Sequence, residues 1–511
     1  MSRIQRQFRQ VHRLIFAVVL GLMGLSVSAT AQDAPAPENS LPAPNAPQEQ
    51  AKPAPLPDKG NDQRKDDQKE GPKITPRQEE ELFHSVDEIL SFDSKQTGLP
   101  VKKDVKRKLT SRDEVVAYLT KHLNDEDTKR LRRSELVLKK FGLLPRDFNL
   151  QTFLVALLRE EVAGYYDPKS KTVNLLDWLP IDEQEPVMAH ELTHALQDQS
   201  VGLEKWMKHG DKDLGEMRKD PSPKDIENDE TDDAREAVVE GQAQAMMFQY
   251  ALAPTGHSIL DSPVLLESME EETLTGTPGT KVFNEAPTFL KESMTFPYSY
   301  GMEFVVKLMQ KQGKEKAFAG LLQNPPHSTR QIMQPETYMA GEKIDPMPVV
   351  DFKHNFQDYK KFDIGAMGEF DVAVLIEQYA GRARSKEMYP EWRGGYYFAA
   401  KPKSNPDGPL GLLYVSRWSS PEKAAEFAAI YADSVKQRYK RIGGTEESLQ
   451  SVSAHSGEAQ AQPQLPPLQG RHVWTTEEGQ VVVDQQGAMV FVSESLDSTT
   501  EASVEKEVFP R

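Results

Sequence analysis

The feature that most constrains this 511-residue chain is a five-residue segment, residues 190–194, that reads His-Glu-Leu-Thr-His. Two histidines four positions apart lie one turn apart on the same face of a helix, so both imidazoles can reach one ion. The apolar residues around them recur at helical spacing and form a stripe that would bury the helix: Met188, Leu192, Ala195 and Leu196. The segment therefore predicts a helix over about 182–199 with a metal site on it.

The residue types in this segment suit hydrolytic metal chemistry. Neutral imidazoles bind zinc well, and a carboxylate that is not itself a ligand can take a proton from the attacking water. We therefore expect His190 and His194 to be zinc ligands and Glu191 to be the general base. The alternative is a helix whose two histidines lie at the surface or cap another element.

The third ligand must come from His, Asp or Glu, because the chain has no cysteine. One solution places a third histidine six residues after the second, but that position holds Ser200. The other solution takes a glutamate from a later helix, and the sequence predicts one over about 232–250. We favour Glu240 as the ligand, with Glu236, one turn earlier on the same face, as its competitor. Small residues beside Glu240 predict a close approach of the two helices: Gly241, Ala243 and Ala245.

His190-Glu191-x-x-His194 followed by Glu240-Gly241-x-Ala243 resembles the gluzincin group of zinc metallopeptidases, including uncharacterised secreted bacterial members. The resemblance covers roughly residues 150–345. It implies Zn²⁺ as the cofactor, His190, His194 and Glu240 as its ligands, and Glu191 as the general base. It also implies a mostly helical zincin-like domain.

Other parts of the predicted site depart from that pattern or have several candidates. Some gluzincins carry an aspartate four residues after the ligand glutamate, where this chain has Gln244, so we expect Asp198 or Asp233 to orient a ligand histidine instead. His327 and Tyr300 are candidate donors to the oxyanion. Two predicted strands within residues 163–176 lie where zincins carry the edge strand that pairs with an extended substrate.

The N-terminus is typical of an exported protein. Residues 1–31 contain four arginines and no acidic residue, then an apolar run and the small-residue end Ala29-Thr30-Ala31, which predicts a signal peptide cleaved after Ala31. An uncleaved membrane anchor is the alternative. Residues 32–75 are rich in proline and then in charge, which predicts a disordered linker, with an inhibitory propeptide as the competing interpretation.

The rest of the chain predicts an α+β fold in two domains. We expect the catalytic domain at residues 76–350 and a smaller α+β domain at residues 360–511, which ends in a β-meander. Lys plus Arg number 62 and Asp plus Glu 79, so the formal net charge is −17, which argues against a nucleic acid partner. No stretch after the signal peptide is long and apolar enough to suggest a membrane span.

Together these features predict an exported, periplasmic or extracellular, zinc-dependent metallopeptidase that acts on a protein or peptide substrate. The alternative is a non-catalytic binding or scaffold protein that retains a structural metal site. A third possibility is hydrolysis of a non-peptide amide. The sequence does not indicate the oligomeric state.

Overall fold

The computed structural model describes residues 74–111, 113–115, 125–160, 164–207, 214, 217, 220–261, 281–443 and 465–510. The predicted signal peptide, and all but the last two residues of the predicted linker, lie outside these ranges. Within them the chain is a mixed α+β protein, which confirms the predicted fold class.

Helices dominate the described residues up to residue 355. In chain order, the helices and strands of this part are α1 (Pro76–Thr97), β1 (Lys106–Thr110), α2 (Asp125–Phe141), α3 (Leu150–Glu160), β2 (Tyr165–Asp167), β3 (Thr172–Leu176), α4 (Ile181–Val201), α5 (Leu203–Met207), α6 (Pro223–Asp229), α7 (Thr231–Leu252), α8 (Lys281–Asn284), α9 (Thr288–Gln312), a π-helical turn (Lys316–Gly320), α10 (Leu321–Gln323), α11 (Thr329–Met333), α12 (Pro335–Met339) and α13 (Phe352–Asn355).

The remaining part is organised around strands. Its elements are β4 (Tyr359–Ala366), α14 (Glu369–Ala380), α15 (Arg382–Met388), β5 (Trp392–Pro402), β6 (Gly411–Trp418), α16 (Pro421–Arg438), β7 (Ile442–Gly443), β8 (Gly470–Thr476), β9 (Gly479–Gln486), β10 (Met489–Glu494) and α17 (Ser498–Val508). The predicted meander and the strands before it form one antiparallel sheet in the order β4-β5-β6-β10-β9-β8-β7.

The helical part carries a three-stranded sheet in the order β1-β3-β2. β2 pairs antiparallel with β3 through a tight turn, as the sequence predicts, and β1 pairs with β3 in parallel. β1 was not predicted, because its sequence Lys-Arg-Lys-Leu-Thr is mostly charged and hides the alternation typical of strands. Lysines on an edge strand suit a position that must not pair with another chain.

Apolar contacts run without interruption between residues before 350 and residues after 360. The ring of Phe141, at the end of α2, packs edge-on against Tyr397 and Tyr414 of the large sheet, with centroids 6.0 and 5.7 Å away. The Tyr379 hydroxyl on α14 donates to the Phe141 carbonyl at 2.8 Å. The two predicted domains therefore share one hydrophobic core.

The segments of the two helices that carry the predicted ligands are buried on every side. All residues from Met188 to Asp198 of α4 are buried, as are all from Thr231 to Met247 of α7. The predicted apolar stripe of α4 is buried, and the residues between its members, which the prediction did not place in the core, are buried as well. α1, α7, β2 and β3 all pack against α4 and together cover it. No helix among the described residues meets the length and hydropathy required of a bilayer span.

Candidate metal centre

The connection between β3 and α4 sets the position of the His-Glu-Leu-Thr-His segment. The side-chain amide of Gln184, in the first turns of α4, binds Leu176 at the end of β3 in both directions. Its Oε1 accepts from Leu176 N–H, and its Nε2 donates to the Leu176 carbonyl, each at 3.0 Å. Gly202 ends the helix in the left-handed conformation, with φ of 71°, which glycine adopts without a Cβ clash. Gln184 thus anchors the start of the helix to β3, and Gly202 fixes where the helix ends.

Three side chains from α4 and α7 bring one ligand atom each to a common point. His190 Nε2 lies 3.1 Å from His194 Nε2 and 3.2 Å from Glu240 Oε2, and the remaining edge, His194 Nε2 to Glu240 Oε2, is 3.3 Å. Bonds of about 2.0–2.1 Å at a tetrahedral angle would separate two ligand atoms by about 3.4 Å. The triangle therefore has the size that tetrahedral zinc requires. It is the one such group of His, Asp or Glu side chains among the described residues, and Glu236 is not part of it.

Charge and burial shift the pKa values of these three groups in opposite directions. The three residues are between 1% and 7% exposed. Burial lowers the pKa of His190 and outweighs its hydrogen bond to Glu240, which acts to raise that pKa. Burial also acts to lower the pKa of His194, but the negative charges of Glu240 and Glu191 outweigh it and raise that pKa. Burial alone would raise the pKa of Glu240, yet the two histidines lower it. A charged carboxylate held between two imidazoles is a suitable ligand set for a divalent cation.

Glu191 does not join the triangle and has its own anchor. The backbone N–H of Tyr166, on β2, donates to Glu191 Oε2 at 2.7 Å. β2 is an edge strand of its sheet, and the N–H of Tyr166 points away from β3 toward α4. Glu191 is therefore not one of the three grouped ligand residues, which is compatible with a role as general base, and its carboxylate lies beside a strand edge.

The prediction that Asp198 or Asp233 orients a ligand histidine is wrong. His194 Nδ1 lies 2.9 Å from Gln197 Oε1, and His190 Nδ1 has no hydrogen-bond partner of good geometry. Asp198 instead accepts from the Tyr166 hydroxyl at 2.8 Å and from Lys171 Nζ at 2.6 Å. It therefore anchors the β2–β3 hairpin to α4.

Gln244 occupies the position where some gluzincins carry an aspartate, and the structure places it beside His190. Its side chain helps to raise the pKa of His190, against the larger effect of burial. Neither His190 Nδ1 nor Gln244 Nε2, however, has a hydrogen bond of good geometry. The position of Gln244, one helical turn after Glu240, is the sequence signal that could have identified it as a neighbour of His190.

The structure does not bring the two predicted oxyanion donors to the centre. The exposed His327 accepts from Thr231 Oγ1 through its backbone carbonyl, and Thr231 lies about 13 Å along α7 from Glu240. Tyr300 packs on Phe296, with ring centroids 5.5 Å apart.

Tyr298 is the aromatic residue of α9 that reaches the centre. Its buried ring lies parallel to His190, with 6.1 Å between centroids and 25° between planes. Residues two apart point to nearly opposite sides of a helix, so Tyr298 and Tyr300 cannot share a face.

Comparison with known proteins identifies no relative of this chain. No family model, no curated protein and no solved structure matches this chain. Functional inference therefore depends on the geometry of the centre itself.

Proposed function

We propose that this protein is an exported zinc metallopeptidase of the gluzincin type, with His190, His194 and Glu240 as zinc ligands and Glu191 as general base. The observation that carries the proposal is the triangle of ligand atoms with edges of 3.1, 3.2 and 3.3 Å. Three protein ligands leave one position of a tetrahedral site open, which is the arrangement of catalytic rather than structural zinc.

Zinc bound there would acidify water and polarise a carbonyl oxygen. Glu191 would accept a proton from the attacking water and deliver it to the leaving amine. The Tyr166 N–H holds one carboxylate oxygen of Glu191, which keeps the base in place between turnovers. The choice of a peptide substrate over a small amide rests on the resemblance to the gluzincins, since the outward N–H of Tyr166 on β2 is already bound by Glu191.

The experiment is to load the purified protein with zinc and follow the hydrolysis of fluorescently labelled casein. Glu191→Gln is nearly isosteric and should retain one zinc per chain but lose hydrolysis. The matched control is Glu183→Gln, an exposed glutamate on the same helix, which should keep both. Hydrolysis by Glu191→Gln at the wild-type rate would exclude Glu191 as the base.

A non-catalytic protein with a structural metal is the rival, and the burial of all three ligand residues is the observation that favours it. The zinc-loading and hydrolysis experiment described above distinguishes the two functions. Wild-type protein that binds zinc stoichiometrically, but cleaves neither casein nor a peptide library, would establish the rival. Loss of zinc in His194→Ala, with retention in His327→Ala, is expected under both.

A further inference from the structure

Behind His194 lies a chain of side-chain amides that crosses three elements. Gln197 Oε1 lies 2.9 Å from His194 Nδ1, and Gln197 Nε2 donates to the Val239 carbonyl and to Gln242 Oε1, both at 3.0 Å. Gln242 Nε2 in turn donates to the Ala317 and Phe318 carbonyls at 2.7 and 3.1 Å. Both glutamines are fully buried. The chain thus links α4 to α7 and to the π-helical turn.

Backbone carbonyls determine which way each amide points. A carbonyl only accepts hydrogen bonds, so the group of Gln242 that faces Ala317 and Phe318 must be its NH₂. The same argument places the NH₂ of Gln197 toward Val239. The oxygen of Gln197 must then face His194, and an oxygen there requires the proton on His194 Nδ1.

The position of that proton decides which ring nitrogen can bind a metal. A neutral imidazole with hydrogen on Nδ1 has its free lone pair on Nε2. His194 Nε2 is the atom that lies 3.1 Å from His190 Nε2 and 3.3 Å from Glu240 Oε2. The amide chain therefore prepares the ring for metal before any metal arrives.

We propose that Gln197 is the positioning residue for His194, and that Gln242 holds Gln197 in the orientation this role requires. The inference deepens the proposed function, since it takes His194 to be a metal ligand. Both amides are neutral, so the chain sets the tautomer without placing a second charge behind the ligands.

Zinc affinity of the full chain, measured by competition with a chelator, tests the proposal without any substrate. Gln197→Met removes the acceptor and should weaken zinc binding by about 10–100-fold. Gln197→Glu keeps an acceptor opposite Nδ1 but loses the NH₂ donors, so it should bind zinc close to the wild-type affinity while unfolding more easily.

Gln199→Met is the matched control. This glutamine lies on the same helix and binds the backbone of Lys102 and Lys103 through three hydrogen bonds, away from the centre. Its loss should lower stability and leave zinc affinity unchanged. A purely structural role for Gln197 would make Gln197→Met and Gln199→Met equivalent in zinc affinity, and that result would overturn the proposal.

The tautomer of His194 can also be measured directly in the wild-type protein, without zinc and without a variant. Nitrogen-15 NMR of metal-free wild-type protein, at a pH where both rings are neutral, should show His194 with its hydrogen on Nδ1. The Nε2-protonated form would refute the proposal. Absence of hydrolysis in a protein that binds zinc and shows the Nδ1 tautomer would contradict the proposed function alone, whereas an Nε2-protonated His194 in a protein that binds zinc and cleaves peptides would refute this inference alone.

Discussion

Gly241 and Gly301 meet backbone to backbone where α7 crosses α9. A Cβ on either residue would overlap main-chain atoms of the other helix: the carbonyl group of Gly301 in one direction and the carbonyl of Ala237 in the other. The predicted close approach at Gly241 is therefore real, but its partner is α9 and not α4. Glu240 and Tyr298, each within three residues of the crossing, both contact His190: the carboxylate of Glu240 lies at Nε2, and the ring of Tyr298 lies against the face of the imidazole.

Replacement of Gly241 should separate the two helices. We expect Gly241→Ala to lower the free energy of unfolding by about 3 kcal/mol, the upper range of overpacking, because the obstructing atoms are backbone and cannot move aside. Zinc affinity should fall as Glu240 shifts. Urea unfolding and chelator competition measure the two effects. Gly443→Ala, where a Cβ meets nothing within 4 Å, should change neither. Wild-type stability in Gly241→Ala would contradict the crossing.

The third ligand can be tested with two glutamates on one helix face. Glu240→Gln should weaken zinc binding by more than about 100-fold, since loss of a ligand costs more than loss of a partner that orients one. Glu236→Gln, one turn earlier and also buried, should retain the metal. Metal analysis after dialysis distinguishes the two variants. The opposite ranking would move the ligand by one turn.

Tyr166 connects Glu191 to the rest of α4. Its backbone binds Glu191 and its hydroxyl binds Asp198. Tyr166→Phe loses the second contact, so we expect slower hydrolysis with unchanged zinc content. Tyr250→Phe is the control, because the Tyr250 hydroxyl also donates to a carboxylate of α4, that of Glu185, away from the centre. An equal loss of rate in both variants would show a general effect on α4.

A buried acid should make stability fall as the pH rises. Burial raises the pKa of Glu230 from 4.5 to about 7, although hydrogen bonds from Thr329 oppose the change. The folded protein therefore retains a proton that the unfolded chain releases near pH 4.5. Stability from this group is fully present below that pH and is lost as the pH rises through about 7. The loss amounts to at most about 3 kcal/mol.

The test compares urea unfolding of two variants at pH 5 and pH 8. Glu230→Gln keeps an oxygen that can accept from the Thr329 N–H, and it carries no titrating proton, so its stability should change less over this interval than that of the wild type. The control, Glu315→Gln, replaces an exposed glutamate and should behave as the wild type does. An unchanged pH dependence in Glu230→Gln would exclude this carboxyl as the source.

Features that depend on local geometry followed from the sequence alone. The spacing of His190 and His194 puts both rings on one face of any α-helix, and the neighbouring apolar residues are enough to indicate that helix. The turn after Asp167 and the paired strands around it are likewise local. The α+β class followed from the succession of helical and alternating patterns.

Features that depend on how helices rotate against each other were decided by the tertiary structure. Gln197 and Asp198 are adjacent in sequence and both can bind an imidazole, yet only Gln197 faces His194, because α7 supplies the Val239 carbonyl and Gln242 on that side. Asp198 points to the hairpin. In the same way, Tyr298 packs on His190 whereas Tyr300, on another face of α9, packs on Phe296. A shift of one residue turns a side chain by about 100° around the helix axis, so these choices rest on contacts between segments distant in the chain.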